Sequence, residues 1–229
     1  MSSLSIIVPA GGVGSRFSSE EKKQFYQLGG KPILYYTLLR LKNVDSLELI
    51  IGAAEEDFSR IEEIVEEVGI KNYILSPSGR ERQDTVYNAL LRASGDYVLI
   101  HDAARPFLSK IILDRCMENY VDYPGMICGV RVKDTAKLIN DDRIEQTIDR
   151  KRLILVHTPQ IFNRKILLKC MSEIVSRGVH ITDEAMALEY FGYEVGFVES
   201  EWYNLKITTK DDLHIADYIL NNFDMLAGV

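Results

Sequence analysis

Short continuous apolar runs alternate along this chain with longer stretches in which apolar residues recur every three or four positions. Residues 4–8 (Leu-Ser-Ile-Ile-Val) form the first run, which stops at Pro9 before the glycine-rich 10–14. Such a run predicts a strand covered on both faces, as in a parallel sheet. Pro32 then stands where the first turn of a helix tolerates it, with Ile33, Leu34, Thr37, Leu38 and Leu41 along one face. Residues 47–53 predict a second strand, Phe58, Ile61, Ile64, Val65 and Val68 an amphipathic helix, and 73–75 a short third strand. A helix over 83–92 leads to a strand over 97–100 that ends abruptly in His101-Asp102. Residues 109–120 read as a helix with Ser109 as its N-cap, and 126–130 as another strand.

Between Arg131 and Ile148 the pattern changes. Val132, 135–138 and 144–148 predict two strands joined by the turn Asn140-Asp141-Asp142. Charged residues dominate there (Arg131, Lys133, Asp134, Lys137, Arg143, Glu145), leaving too little apolar face for a core element, so the hairpin reads as a projecting arm. Helices follow over 164–177 and 183–191, then a strand over 194–198 and a last helix opened by a Thr209/Asp212 capping box. The alternation predicts an α/β fold, a mostly parallel twisted sheet with helices on both faces. No repeat or linker divides it, so residues 1–229 are read as one domain with a β-arm at about 131–150. In open α/β sheets ligands sit beyond the carboxyl ends of the strands, at a topological switch point, which singles out the loops 10–17, 76–82 and 101–107.

Composition narrows the function classes. Twenty-seven Lys and Arg against 34 Asp and Glu give a net charge of −7, which argues against nucleic-acid partners and an anionic membrane surface. An anionic small substrate remains open, because a site needs only a few placed cations. Cys116, Cys128 and Cys170 are far apart in apolar surroundings with no CxxC pair, the pattern of buried reduced thiols rather than zinc or dithiol chemistry. With neither a basic leader nor an apolar stretch near the ~20 residues of a membrane span, a cytoplasmic location is expected.

Three loops could do chemistry. The first, Pro9 to Phe17, follows a strand directly; Ala10, Gly11, Gly12 and Gly14 let backbone N–H groups approach a phosphate, and Arg16 and Lys23 add positive charge. A dinucleotide fingerprint would need glycine at Phe17, and Gly30-Lys31-Pro32 fails the P-loop pattern, so the loop is neither. The second, 101–107, places Asp102 beyond a buried strand, where an acid can reach a hydrated Mg²⁺ or a ribose hydroxyl, or simply pair with Arg105. The third runs from Gly79 through Arg82 to Thr85 and reads either as a base-edge contact or as a solvated helix start. Thr135 and Lys137 on the arm, Arg150, Thr158 and Thr182 are weak alone, while Lys206 is unusual inside the strand-like Leu205-Lys206-Ile207.

Taken in order, these segments resemble the cytidylyltransferases of the non-mevalonate isoprenoid pathway. The carriers are the Pro-Ala-Gly-rich loop with Arg16, Lys23-Gln24, Arg82 with Asp84-Thr85-Val86, 101–107, Asp134-Thr135, Asp149-Arg150, Thr158-Pro159-Gln160-Ile161-Phe162, Thr182-Asp183-Glu184-Ala185 and Leu205-Lys206-Ile207-Thr208. The resemblance spans Ile6 to about Ile219. It implies a Rossmann-like nucleotidyltransferase fold whose arm interlocks two subunits, with Thr135 and Arg150 completing the partner's site. It also implies that the phosphate of methylerythritol phosphate attacks the α-phosphorus of CTP and releases pyrophosphate. Arg16 and Lys23 are then expected to stabilise the charge in transit, and Arg150 and Lys206 to position the attacking phosphate. Ala10, Gly11, Gly79 and Thr85 would surround the cytosine, and Asp102, Arg105, Thr135, Thr158 and Thr182 the polyol. Gly12, Gly14, Arg82 and Ala103 complete the binding set. Mg²⁺ or another divalent cation would bridge the CTP phosphates, with Asp102 as its candidate protein partner, through water if not directly.

The chain departs from that family's habits at Gly11, Phe17, Lys22, Arg80 and Thr85, which touches the cytosine pocket and spares the four cations. Two rivals have distinguishing features. A ribitol 5-phosphate cytidylyltransferase usually carries Asp-Ser-Val-Arg-Pro and Thr-Asp-Ala-Cys, where this chain has Asp102-Ala103-Ala104-Arg105-Pro106 and Thr182-Asp183-Glu184-Ala185. A nucleotide-binding protein without turnover would have lost one of Arg16, Lys23, Arg150 and Lys206, and all four are present.

Overall fold

The computed structural model describes residues 3–12 and 21–228. Strand β1 (Leu4–Pro9) is followed by a small antiparallel pair, β2 (Gln27–Leu28) with β3 (Lys31–Pro32), and by helix α1 (Ile33–Leu41). Then come β4 (Glu48–Ala53), α2 (Phe58–Val68), β5 (Tyr73–Pro77), α3 (Arg82–Leu90), β6 (Tyr97–Ile100), α4 (Lys110–Asn119) and β7 (Gly125–Arg131). The second half adds β8 (Ala136–Asn140), β9 (Arg143–Ile148), β10 (Ile154–Asn163), α5 (Arg164–Ser176), α6 (Glu184–Tyr190), β11 (Val195–Glu199), α7 (Asp211–Asn221) and α8 (Phe223–Ala227).

Seven strands form one sheet in the order β11-β7-β10-β6-β1-β4-β5. All neighbours run parallel except β10, which is antiparallel to both β6 and β7. From β1 the chain builds outward through β4 and β5, then returns to β6 on the other side of β1. That reversal is the switch point, and the loops after β1 and β6 open side by side there.

Alternation along the central strands divides the core between the two faces of the sheet. Ile6, Val8, Leu49, Ile51 and Leu99 pack with Leu34, Leu38, Ile61 and Val65 of α1 and α2. Ile7, Ile50, Val98 and Ile100 pack with Val86 of α3 and Leu167, Met171 and Ile174 of α5. A third cluster of Leu28, Ile33, Phe107, Ile207, Ile219 and Phe223 ties the C-terminal helices to the 101–107 loop. Burying one such side chain stabilises by about 1.5–3 kcal/mol, so removal of Phe107 or Ile207 would loosen the segment that carries Lys206.

Helix ends follow their local chemistry. The Ser109 hydroxyl accepts from Ile112 N–H, α2 stops at Gly69 with φ +84°, and Thr209 and Asp212 exchange hydrogen bonds ahead of α7. Pro32 is not inside the helix as expected. Its extended ψ of 146° and its pairing with Gln27 make it the residue just before α1.

Two further differences matter for the site. Strand β10 was not evident as a strand, because polar His157, Thr158 and Gln160 interrupt its apolar run where its register against β7 shifts. The Leu205-Lys206-Ile207 run is not a strand: it is an irregular segment held by Ile207 N–H donating to the Ala104 carbonyl at 2.9 Å. The β8–β9 hairpin forms its own two-stranded sheet away from the main one, with Leu138, Ile139 and Ile144 exposed, as a projecting arm requires.

Candidate active site

Two adjoining cavities open at the switch point. One, of about 120 Å³, is lined by Pro9, Ala10, Gly11 and Gly12 after β1, with Lys23, Gln24, Arg82, Thr85, Asp102, Ala103, Ala104 and Lys206. The other, of about 420 Å³, is walled by β10 (Val156, His157, Thr158, Gln160) and by Thr182, Asp183 and Met186 around the start of α6. Arg82, Asp102 and Lys206 line both and form the wall between them.

The first cavity is shaped by close backbone approach. A Cβ on Gly11 would lie 2.4 Å from Ser78 Cβ and 3.3 Å from Thr85 Oγ1, so the turn closes only with glycine while Ser78 is present. Gln24, buried in the 3₁₀ turn Lys23–Phe25, donates to the Ala10 carbonyl at 2.6 Å and fastens the lysine-bearing segment to the turn. Lys22 adds a second anchor through Glu56 and Asp57, both at 2.7 Å. Thr85 accepts from Gly79 N–H at 3.0 Å and donates to the Glu81 carbonyl at 3.1 Å, so its hydroxyl orders the 76–82 loop.

At the shared wall, charges are dense. Asp102, only 6% exposed, meets Arg82 Nε at 3.0 Å, Lys206 Nζ at 2.8 Å and Arg105 Nε at 3.5 Å. Burial pushes its carboxyl up, but Arg82, Lys206 and Arg105 together outweigh that and hold it well below the usual carboxylate range. Arg82 in turn grips Glu184, a fully buried carboxylate at the start of α6, with Nη1 at 2.7 and 3.0 Å from its two oxygens. Three cations against two carboxylates leave this cluster one positive charge in excess, facing both cavities.

Behind Asp102 a neutral relay fixes the backbone. His101 is fully buried and its pKa falls to about 4 through desolvation, so it is uncharged at neutral pH. Its Nε2–H donates to the Arg105 carbonyl at 3.0 Å, which leaves Nδ1 to accept from Thr158 Oγ1 at 3.1 Å. Thr158 Oγ1 accepts in turn from Asp102 N–H at 3.0 Å. Arg105 donates to the carbonyls of Asn204 and Val156, so its guanidinium braces β10 and the Lys206 segment while lining the larger cavity.

Of the residues expected from sequence, the structure thus gathers Ala10, Gly11, Gly12, Lys23, Arg82, Thr85, Asp102, Ala103 and Lys206 at the first cavity. Arg105, Thr158 and Thr182 join Arg82, Asp102 and Lys206 at the second. Gly79 sits one hydrogen bond behind Thr85. Thr135 and Arg150 are exposed at the arm and line neither cavity, Arg150 donating to the Lys133 carbonyl. Gly14 and Arg16 lie outside the described residues. Sequence reasoning missed His157, Gln160 and Asp183 as cavity walls and Glu184 as a partner of Arg82. The last three were visible only as members of resembling motifs, and His157 carried no signal.

Both Asp102 oxygens are held by cations, Arg82 on Oδ1 and Lys206 and Arg105 on Oδ2, and a Mg²⁺ that takes most of its ligands from substrate phosphates and water would need no cage of protein side chains around it.

An open α/β sheet with a glycine-rich turn, a lysine and a buried aspartate at its switch point defines a nucleotidyltransferase-type enzyme. The family described as 2-C-methyl-D-erythritol 4-phosphate cytidylyltransferase matches residues 4–222, and the chain belongs to that family. The curated enzyme of that name from Clostridium botulinum (strain Eklund 17B / Type B) is 42% identical over 95% of this chain and 99% of its own. That from Bacillus cytotoxicus is 37% identical over 94% and 97%. Among solved structures, 4-diphosphocytidyl-2C-methyl-D-erythritol synthase from Anaerococcus prevotii superposes with a TM-score of 0.86 at 25% identity, covering 96% of both chains. The 2-C-methyl-D-erythritol 4-phosphate cytidylyltransferase from Francisella tularensis gives 0.78 at 29% identity, over 95% of this chain and 99% of its own.

Proposed function

We infer that this enzyme transfers the cytidylyl group of CTP onto the phosphate of 2-C-methyl-D-erythritol 4-phosphate. One observation carries the reading beyond family membership: two cavities, one beside a glycine turn and one walled by polar groups of β10 and the start of α6, share a wall of Arg82, Asp102 and Lys206. A phosphate oxygen of the polyol attacks the α-phosphorus, the bond from that phosphorus to the β-phosphate's bridging oxygen breaks, and pyrophosphate leaves. The nucleophile is already an anion, so no general base is needed, and the work is positioning and charge stabilisation.

In this reading the backbone amides of 10–12, with Gly14, Arg16 and Lys23, receive the CTP phosphates and the charge that develops in transit. Gly79, Arg82 and Thr85 shape the cytosine side. Lys206 faces both cavities and seats the attacking phosphate, while Arg105, Thr158 and Thr182 bound the polyol. Thr135 and Arg150 act in a second copy's site. The exposed Leu138, Ile139 and Ile144 of the arm support a homodimer through that hairpin. We place any divalent cation on the CTP phosphates rather than on Asp102, and no step here depends on it. Among the described residues no helix is long and apolar enough to cross a membrane, and Cys116, Cys128 and Cys170 are unpaired and buried. Buried unpaired thiols are the usual state in a reducing compartment, which supports work in the cytoplasm.

The product tests the reaction. Phosphorus NMR of a reaction with CTP and the polyol phosphate should show two coupled diphosphate resonances and free pyrophosphate; inorganic phosphate alone would contradict transfer. Lys23→Ala and Lys206→Ala should each lower turnover by about 10²–10³, as loss of one oxyanion donor does.

A further inference from the structure

The buried acid Glu184 has no part in the chemistry just described, yet its placement bears on it. Four elements meet at the wall between the cavities. Helix α6 supplies Glu184, α3 supplies Arg82, the loop after β6 supplies Asp102, and the irregular segment before α7 supplies Lys206. They form a line of alternating charge: Glu184 oxygens at 2.7 and 3.0 Å from Arg82 Nη1, Arg82 Nε 3.0 Å from Asp102 Oδ1, and Asp102 Oδ2 2.8 Å from Lys206 Nζ.

We propose that Glu184 is a positioning residue, which engages Arg82 Nη1 so that the guanidinium meets Asp102 through Nε and the other Asp102 oxygen is left to seat the Lys206 ammonium. The assignment rests on the reading that Lys206 places the attacking phosphate. Arginine can share its donors between carboxylates, and at this wall Nη1 alone serves both Glu184 oxygens while Nε reaches Asp102 Oδ1. Asp183, the neighbouring acid, cannot substitute: its oxygens accept from Met186 N–H and Gln160 Nε2 at 3.0 Å each. With Glu184 neutral, Arg82 has Asp102 as its remaining carboxylate and competes with Lys206 for it. The cluster then carries two positive charges in excess instead of one, so bound anions are held no more weakly while Lys206 is displaced.

That combination has a kinetic signature. Glu184→Gln keeps the shape and removes the charge; kcat for pyrophosphate release should fall about 10- to 100-fold, with KM for CTP and for methylerythritol phosphate unchanged or lower. Glu184→Asp keeps the charge one carbon further back, and kcat should fall less than tenfold with both KM values unchanged. A role in packing alone predicts the reverse order, with Gln milder than Asp, and a raised KM; either result overturns the proposal. Should the Gln variant fail to fold, as loss of one partner of a buried pair can cause, the Asp variant decides alone. In that case a lower kcat at constant KM supports the proposal, and an unchanged kcat or a raised KM overturns it. Lys206→Ala run in parallel separates the two readings. Retained turnover there removes the role given to Lys206, whereas lost turnover beside wild-type kinetics in both Glu184 variants removes only the role given to Glu184.

Discussion

Asp102 is held ionised by three cations while His101 is held neutral, and that contrast is set by burial and partners rather than by residue type. His101 stays neutral because desolvation drives its pKa to about 4, and the half-buried His157 behind the larger cavity shifts to about 4 for the same reason. Their folded pKa values lie below the ordinary 6.5, so the unfolded chain takes up protons first as pH falls. The stability they contribute is therefore fully present above about pH 6.5 and is lost as pH falls towards 4, on the order of 3 kcal/mol for His101 alone. Denaturant midpoints measured from pH 7.5 to 4.5 should drop through that window; a flat profile would contradict a neutral buried His101. Lys23, Asp102 and Lys206 were legible in the sequence because a charged residue beside a glycine turn or a buried run is conspicuous. Glu184 was not, because an acid at a helix start reads as a solvated cap until its partner from α3 is known.

At the level of elements, β1, β4 and β6 were readable as apolar runs, and α2 from its period. The boundaries of α4 followed from a capping serine. Strand β10 escaped because the polar residues that break its pattern, His157, Thr158 and Gln160, are those that wall the larger cavity. A strand recruited into a site loses the alternation by which strands are recognised. The hairpin was readable by the opposite property, the lack of a core face, and its Ile139 and Ile144 are exposed. Deleting residues 133–146 should leave a monomer by light scattering with turnover abolished, since Thr135 is removed and Arg150 is left without its arm. An active monomer would contradict a shared site.

Across the whole molecule, a net charge of −7 says little about the ligand, because the charge that counts is local. Glu184, Arg82, Asp102, Arg105 and Lys206 leave one positive charge at the wall of two cavities, and Lys23 joins them from the segment fastened to the first turn. These residues are scattered along the chain from Lys23 to Lys206. They converge only because β6 returns beside β1 and because Ile207 and Phe107 share one apolar cluster with the C-terminal helices. In the function proposed above, the larger cavity beyond that wall holds the polyol and selects which phosphate is used. Pyrophosphate release should therefore be measured with CTP and, separately, methylerythritol phosphate and ribitol 5-phosphate. We expect kcat/KM at least about a hundredfold higher for methylerythritol phosphate, the discrimination of a few kcal/mol expected of a pocket built around one polyol. Equal or greater efficiency with ribitol 5-phosphate would contradict it.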